Sequence, residues 1–135
     1  MKSTPKIYLA EDDDDDALFF QDAFKKCYPD SQITVYPNGA ELLKAVFDCE
    51  TPPAYIFLDI NMPVLNGLET LASLKANHQT SRIPTFVLSS ADGPVTIREC
   101  YQLGATSYFT KPERYAEIIT LAESFKAYWR YVIKS

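Results

Sequence analysis

Short runs of aliphatic, β-branched and aromatic residues recur along this chain, each separated from the next by a stretch long enough for a helix. That alternation constrains the fold more than any other feature. The runs are Ile7-Tyr8-Leu9-Ala10, Ile33-Thr34-Val35-Tyr36, Tyr55-Ile56-Phe57-Leu58, Thr85-Phe86-Val87-Leu88 and Ser107-Tyr108-Phe109-Thr110. Three of them are nearly continuous in apolar character instead of alternating, as strands covered on both faces of a parallel sheet must be. Parallel neighbours cannot be joined by a tight turn and need a crossover, usually helical.

The intervening segments carry helical spacing. Ala17, Phe20, Phe24 and Cys27 step by three, four and three. Ala40, Leu43 and Phe47 mark a second helix after the Pro37-Asn38-Gly39 turn, and Leu65, Leu68, Leu71 and Leu74 mark a third as core. A fourth runs roughly from Val95 to Leu103, with Gly104 placed to stop it. In the last, Ile118, Ala122, Phe125, Trp129 and Val132 step by four, three, four and three, one apolar stripe that packs on the sheet. Leu121, Tyr128, Tyr131 and Ile133 widen it, which makes the end of this helix a candidate homodimer surface. Five strands alternating with five helices predict an α/β fold: a doubly wound, five-stranded parallel sheet flanked by five helices, with right-handed crossovers. In that class ligands sit outside the carboxyl ends of the strands.

At 135 residues the chain is expected to be one domain over residues 1–135, with no output domain after the last helix. Its formal net charge of −5 argues against nucleic acid or an anionic membrane surface as partner, since both need clustered Lys and Arg. Cys27, Cys49 and Cys100 are odd in number and lack a CxxC pair, which reads as reduced thiols. Neither a signal peptide nor a membrane span is evident, so the expected location is cytoplasmic.

Reactive residues fall at the strand ends. The first run leads straight into Glu11-Asp12-Asp13-Asp14-Asp15-Asp16, the third ends at Asp59, the fourth at Ser89-Ser90 and the fifth at Lys111-Pro112. Glu11, Asp12 and Asp59 gathered on one rim would repel one another unless a cation neutralised them. An all-oxygen set suits Mg2+ better than zinc, for which no Cys/His set exists. Carboxylate, cation, lysine and hydroxyl together suit an incoming phosphoryl group. The metal and Lys111 would stabilise its oxygens, Ser89 would donate a hydrogen bond, and Asp59 would be the nucleophile.

The segments Leu9-Ala10-Glu11-Asp12-Asp13, Phe57-Leu58-Asp59-Ile60-Asn61-Met62-Pro63, Val87-Leu88-Ser89-Ser90 and Tyr108-Phe109-Thr110-Lys111-Pro112 resemble, in order and spacing, the response regulator receiver domain of two-component signalling. The resemblance covers essentially the whole chain and implies a flavodoxin-like sheet of strand order 2-1-3-4-5, as in the receiver that exemplifies this order. It implies phosphorylation at Asp59, with Asp12 a direct metal ligand, Glu11 acting through water and Asn61 offering its backbone carbonyl. It implies that Ser89 follows the phosphoryl group inward, that Lys111 pairs with that group and that Tyr108 swings inward in step. It also implies a cis Lys111–Pro112 bond, and a readout face on the fourth helix and fifth strand. Position 11 is Glu where many members have Asp, position 89 is Ser where Thr is commoner, and Glu113 stands where an apolar residue is frequent. None of these removes a needed group. Asn61 and Ala91 occupy the positions that tune phosphoryl lifetime in the family.

Each residue has a plainer reading. Asp13 to Asp16 suit a helix N-terminus, which accounts for Asp14 and Asp16 and leaves Glu11 and Asp12 for the metal. Asp59 alone could be a turn residue, Ser89 a satisfied hydroxyl, Lys111 a solvated charge and Tyr108 a half-buried strand aromatic. His78 reads as solvent-exposed. Four such residues at four strand ends in the required order favour the joint reading.

The expected function is therefore a single-domain response regulator that takes a phosphoryl group from a histidine kinase or phosphotransfer protein and switches binding to an unknown downstream protein. The alternative is a phosphorylation-independent adaptor of the same fold. A magnesium-dependent phosphatase is disfavoured because Asn61 stands where such enzymes carry a general-acid Asp, so the chain is not expected to be an enzyme.

Overall fold

The computed structural model describes residues 5–60, 62, 66–89 and 94–131. Five strands, β1 (Lys6–Ala10), β2 (Gln32–Tyr36), β3 (Tyr55–Asp59), β4 (Thr85–Ser89) and β5 (Ser107–Thr110), alternate with five helices. The helices are α1 (Asp14–Cys27), α2 (Gly39–Asp48), α3 (Gly67–Ala76), α4 (Pro94–Gln102) and α5 (Tyr115–Trp129). All pairings are parallel and the sheet order is β2-β1-β3-β4-β5. The flavodoxin-like order implied by the resemblance is the order observed.

Side-chain alternation along the strands divides the core. Tyr8 and Ala10 of β1, Ile56 and Leu58 of β3 and Val87 of β4 point to one face, where they meet Leu42, Val46, Leu71, Leu74 and Cys100 from α2, α3 and α4. Ile7, Leu9, Tyr55, Phe57, Phe86 and Leu88 point to the other, under Phe20 and Phe24 of α1 and Ile118, Ala122, Phe125 and Trp129 of α5. Both faces of β1, β3 and β4 are thus covered, which is why these runs read as continuous apolar sequence. The second face is an aromatic layer. Phe57 stacks on Phe86 at 5.3 Å between ring centres and meets the edge of Phe125 at 5.1 Å.

Helix starts are set by side chains that accept from backbone amides left without a partner in the first turn. Asp13 accepts from the Asp16 amide at 3.0 Å, Asn38 from that of Glu41 at 2.9 Å and Asn66 from that of Glu69 at 2.9 Å. Glu69 returns the contact by accepting from the Asn66 amide, a capping box that starts α3 at Gly67 and not at the Leu65 suggested by leucine spacing. Leu65, like Val132 of the final stripe, lies outside the described residues. Gly104 ends the α4 turn with φ +102°, a conformation that favours glycine. Tyr128 and Tyr131 are exposed beyond the α5 stripe. Among the described residues no helix is long and apolar enough to cross a membrane.

Candidate functional site

β3 and β4 each run one residue further than the apolar pattern indicates, so Asp59 and Ser89 are the last residues of their strands. Asp59 pairs in register with Leu88, which places Ser89 one step beyond it on the adjacent strand. Both are buried, Asp59 at 6% exposure and Ser89 at 0%. Glu11 continues from β1 with its amide bonded to the Tyr36 carbonyl at 3.0 Å, and its side chain is buried. Lys111 follows β5, held by its amide on the Ser89 carbonyl at 2.8 Å. Behind Asp59 the chain packs so closely that a Cβ on Gly67 would lie 2.7 Å from the Asp59 carbonyl oxygen. That approach seats the start of α3 directly against the Asp59 backbone.

Acids from the ends of β1 and β3 and from α1 meet on the Lys111 ammonium. Its Nζ lies 2.6 Å from Glu11 Oε1, 2.8 Å from Asp16 Oδ2 and 3.4 Å from Asp59 Oδ2. Carboxylate oxygens of Glu11, Asp12 and Asp59 also lie within 4.8 Å of one another, with Asp12 facing solvent. Three carboxylates thus share one ammonium, with Asp12 beside them. The three clustered acids are hard oxygen donors, and an incompletely neutralised set of that kind fits a divalent cation. The shortage of positive charge is visible at Glu11. Burial and a hydrogen bond with Asp59 push its carboxyl up to about 8, and Lys111 offsets this only in part. Burial alone would lower the Lys111 ammonium, but hydrogen bonds to Asp16 and Glu11 more than offset that and hold it above its ordinary value. A cavity of about 310 Å³, lined in part by Glu11, Asp16, Phe19, Lys111 and Tyr115, opens beside the ammonium.

Glu11, Asp12, Asp59 and Lys111 are therefore brought together, with Ser89 on the adjoining strand end. Asn61 lies outside the described residues. Tyr108 is half-buried on β5, and its amide donates to the Tyr101 hydroxyl at 3.1 Å. The Lys111–Pro112 bond is a correction: it is trans, since no cis peptide occurs among the described residues. A trans X–Pro bond is the ordinary form, and in it the Lys111 amide already pairs with β4 while the ammonium reaches its three acids. Asp16 is the residue the sequence reading missed. Assigned there to starting the helix, it does give its amide to Asp13, yet its carboxylate turns to Lys111. His78 is exposed as expected.

The sequence pattern of the response regulator receiver domain matches residues 7–123. The chain belongs to that family. Among curated relatives of this receiver domain is the response regulator Rcp1 of Synechocystis, 25% identical over 128 residues that span 91% of this chain and 87% of Rcp1. The phosphorylated cyanobacterial phytochrome response regulator RcpA superposes with a TM-score of 0.86 at 25% identity, covering 98% of each chain. A receiver domain from Rhodospirillum rubrum superposes at 0.82 with 27% identity, covering 90% of this chain and 94% of that one. Membership implies interaction with a phosphodonor, and the Glu11, Asp12 and Asp59 cluster gives this receiver a place for a divalent metal.

Proposed function

We propose that this receiver accepts a phosphoryl group on Asp59, with Mg2+ as its cation, from a phosphohistidine of a histidine kinase or phosphotransfer protein, and thereby switches its binding to a downstream protein. The observation that carries this reading is the convergence of Glu11, Asp16 and Asp59 on Lys111 at the strand ends. In the transfer a carboxylate oxygen of Asp59 attacks phosphorus, the donor's P–N bond breaks and the released imidazole takes up a proton. Lys111 lies on the Asp59 oxygen and is placed to meet the phosphoryl oxygens as charge shifts onto them. Ser89 offers its hydroxyl from the next strand. Asp12 and Asp59 would hold the cation directly, with Glu11 through water and the Asn61 carbonyl. When bound, that cation supplies positive charge to the same oxygens.

The phosphorylated state of RcpA, a chain of the same fold and 25% identical, supports phosphorylation of this receiver. The product is a stoichiometric modification and not the turnover of an external substrate. Movement of Ser89 and Tyr108 toward the new group would bias a two-state equilibrium read on α4 and β5. Incubation with Mg2+ and acetyl phosphate should add one phosphate by intact mass, and Asp59→Asn should add none. A wild type that stays unmodified even with a phosphorylated kinase would overturn the proposal.

A further inference from the structure

We propose that Tyr101 is the latch that holds α4 in the unphosphorylated arrangement: its hydroxyl ties the last turn of that helix to the open edge of β5, and the bond is given up when Asp59 is phosphorylated. This rests on the switch proposed above, with Asp59 as acceptor and with α4 and β5 as its readout.

β5 is an edge strand, paired with β4 on one side only. Alternate peptide groups along a strand turn to its opposite sides. Lys111 turns its amide inward to the Ser89 carbonyl at 2.8 Å, so Tyr108, three residues earlier, turns its amide out of the sheet. Tyr101 fills that side. From the last turn of α4 its hydroxyl accepts from the Tyr108 amide at 3.1 Å. The Tyr101 side chain belongs to a residue that is 49% exposed, so the bond, more than burial, keeps its ring on the edge. The Tyr108 side chain packs with Leu103 against the core cluster that α2, α3 and α4 cover. Inward movement of Tyr108 vacates that seam, and α4 must shift to close it, because packed interiors hold few voids. Helix shifts in switches run to about 1–2 Å. A contact that starts at 3.1 Å and lengthens by about 1 Å has passed the ~3.6 Å at which it stops being a hydrogen bond. The Tyr101 bond therefore belongs to one arrangement and weights the two-state equilibrium against the other. On an open edge water can take the amide in its place, so losing the hydroxyl spares the fold and moves the equilibrium.

The test compares Tyr101→Phe, which keeps the ring and removes the hydroxyl, with Tyr131→Phe, which removes an exposed hydroxyl beyond the end of α5. With Mg2+ and acetyl phosphate, Tyr101→Phe should be phosphorylated about two- to ten-fold faster than both wild type and Tyr131→Phe, the range that one net hydrogen bond spans. General damage to the fold would slow the reaction instead. Amide hydrogen exchange reads the latch itself. The Tyr108 amide should be protected in unphosphorylated wild type, and should exchange faster both in Tyr101→Phe and in phosphorylated wild type. A Tyr108 amide equally protected before and after phosphorylation of the wild type would overturn the latch and leave the acceptor assignment intact, as would equal phosphorylation rates for the two variants. A wild type that takes up no phosphate would overturn the acceptor assignment, and the latch with it.

Discussion

At Glu11 a carboxylate is held buried beside Asp59, and its proton affinity is pushed up to about 8, first by burial and next by Asp59. The sign of the consequence follows from proton counting. Between an ordinary value of 4.5 and about 8, the folded protein keeps a proton that the unfolded chain has lost. The metal-free stability contribution of this group therefore falls as pH rises through that window. A cation needs the deprotonated form, so its binding releases the proton and its affinity should climb with pH and level off above about 8. Calorimetry of Mg2+ binding in buffers of different ionisation enthalpy would read the released proton directly. Affinity independent of pH between 5 and 8 would contradict this account of Glu11. Nothing in residue type marks Glu11 as different from the five aspartates after it. Its burial comes from leaving β1 in line with the sheet, which the apolar run before it does make legible. Asp16 was less legible, because the role of a helix N-terminus explained it before the fold brought Lys111 within reach.

At the scale of the element, the end of β3 is held by the way α3 begins. Gly67 starts that helix with its amide on the Ile60 carbonyl at 3.0 Å, and a Cβ there would stand 2.6 Å from the Ile60 Cα. Backbone atoms cannot yield as a side-chain tip can. Gly67→Ala should destabilise the protein by about 1–3 kcal/mol, the usual cost of overpacking, and displace the backbone that carries Asp59. Urea unfolding checks the first effect, and a lower phosphorylation rate checks the second. The leucine spacing predicted α3 correctly in kind but put its start at Leu65, because periodicity sees apolar faces and not caps. Asn66 and Glu69, the residues that set the true start, were both present as a capping signature. The strands were legible for a simpler reason. Burial on both faces leaves little room for polar residues, and those that close the apolar runs of β1, β3 and β4, Glu11, Asp59 and Ser89, belong to the site.

For the whole molecule, the ends of β1, β3, β4 and β5 must be assembled before any site exists, and folding brings Glu11, Asp16 and Asp59 against one lysine with Asp12 beside them. A cation that binds only this assembled rim stabilises the fold by mass action. Saturating Mg2+ at a hundredfold over its dissociation constant should add about 2.7 kcal/mol, seen as a rise in Tm that Asp12→Asn and Asp59→Asn reduce. An identical Tm rise in both variants would place the cation elsewhere. The sheet order was the part of the architecture that spacing could not supply. Alternation gives the elements and their parallel sense, but the order 2-1-3-4-5 came from the receiver resemblance at the strand ends. The central claim is that Asp59 is the group modified. After incubation with Mg2+ and acetyl phosphate, borohydride reduction of an acyl phosphate converts the modified aspartate to homoserine, which peptide mapping can locate. The account predicts homoserine at position 59 alone. Homoserine at position 12 or 16, or phosphate retained on Ser89, would contradict it.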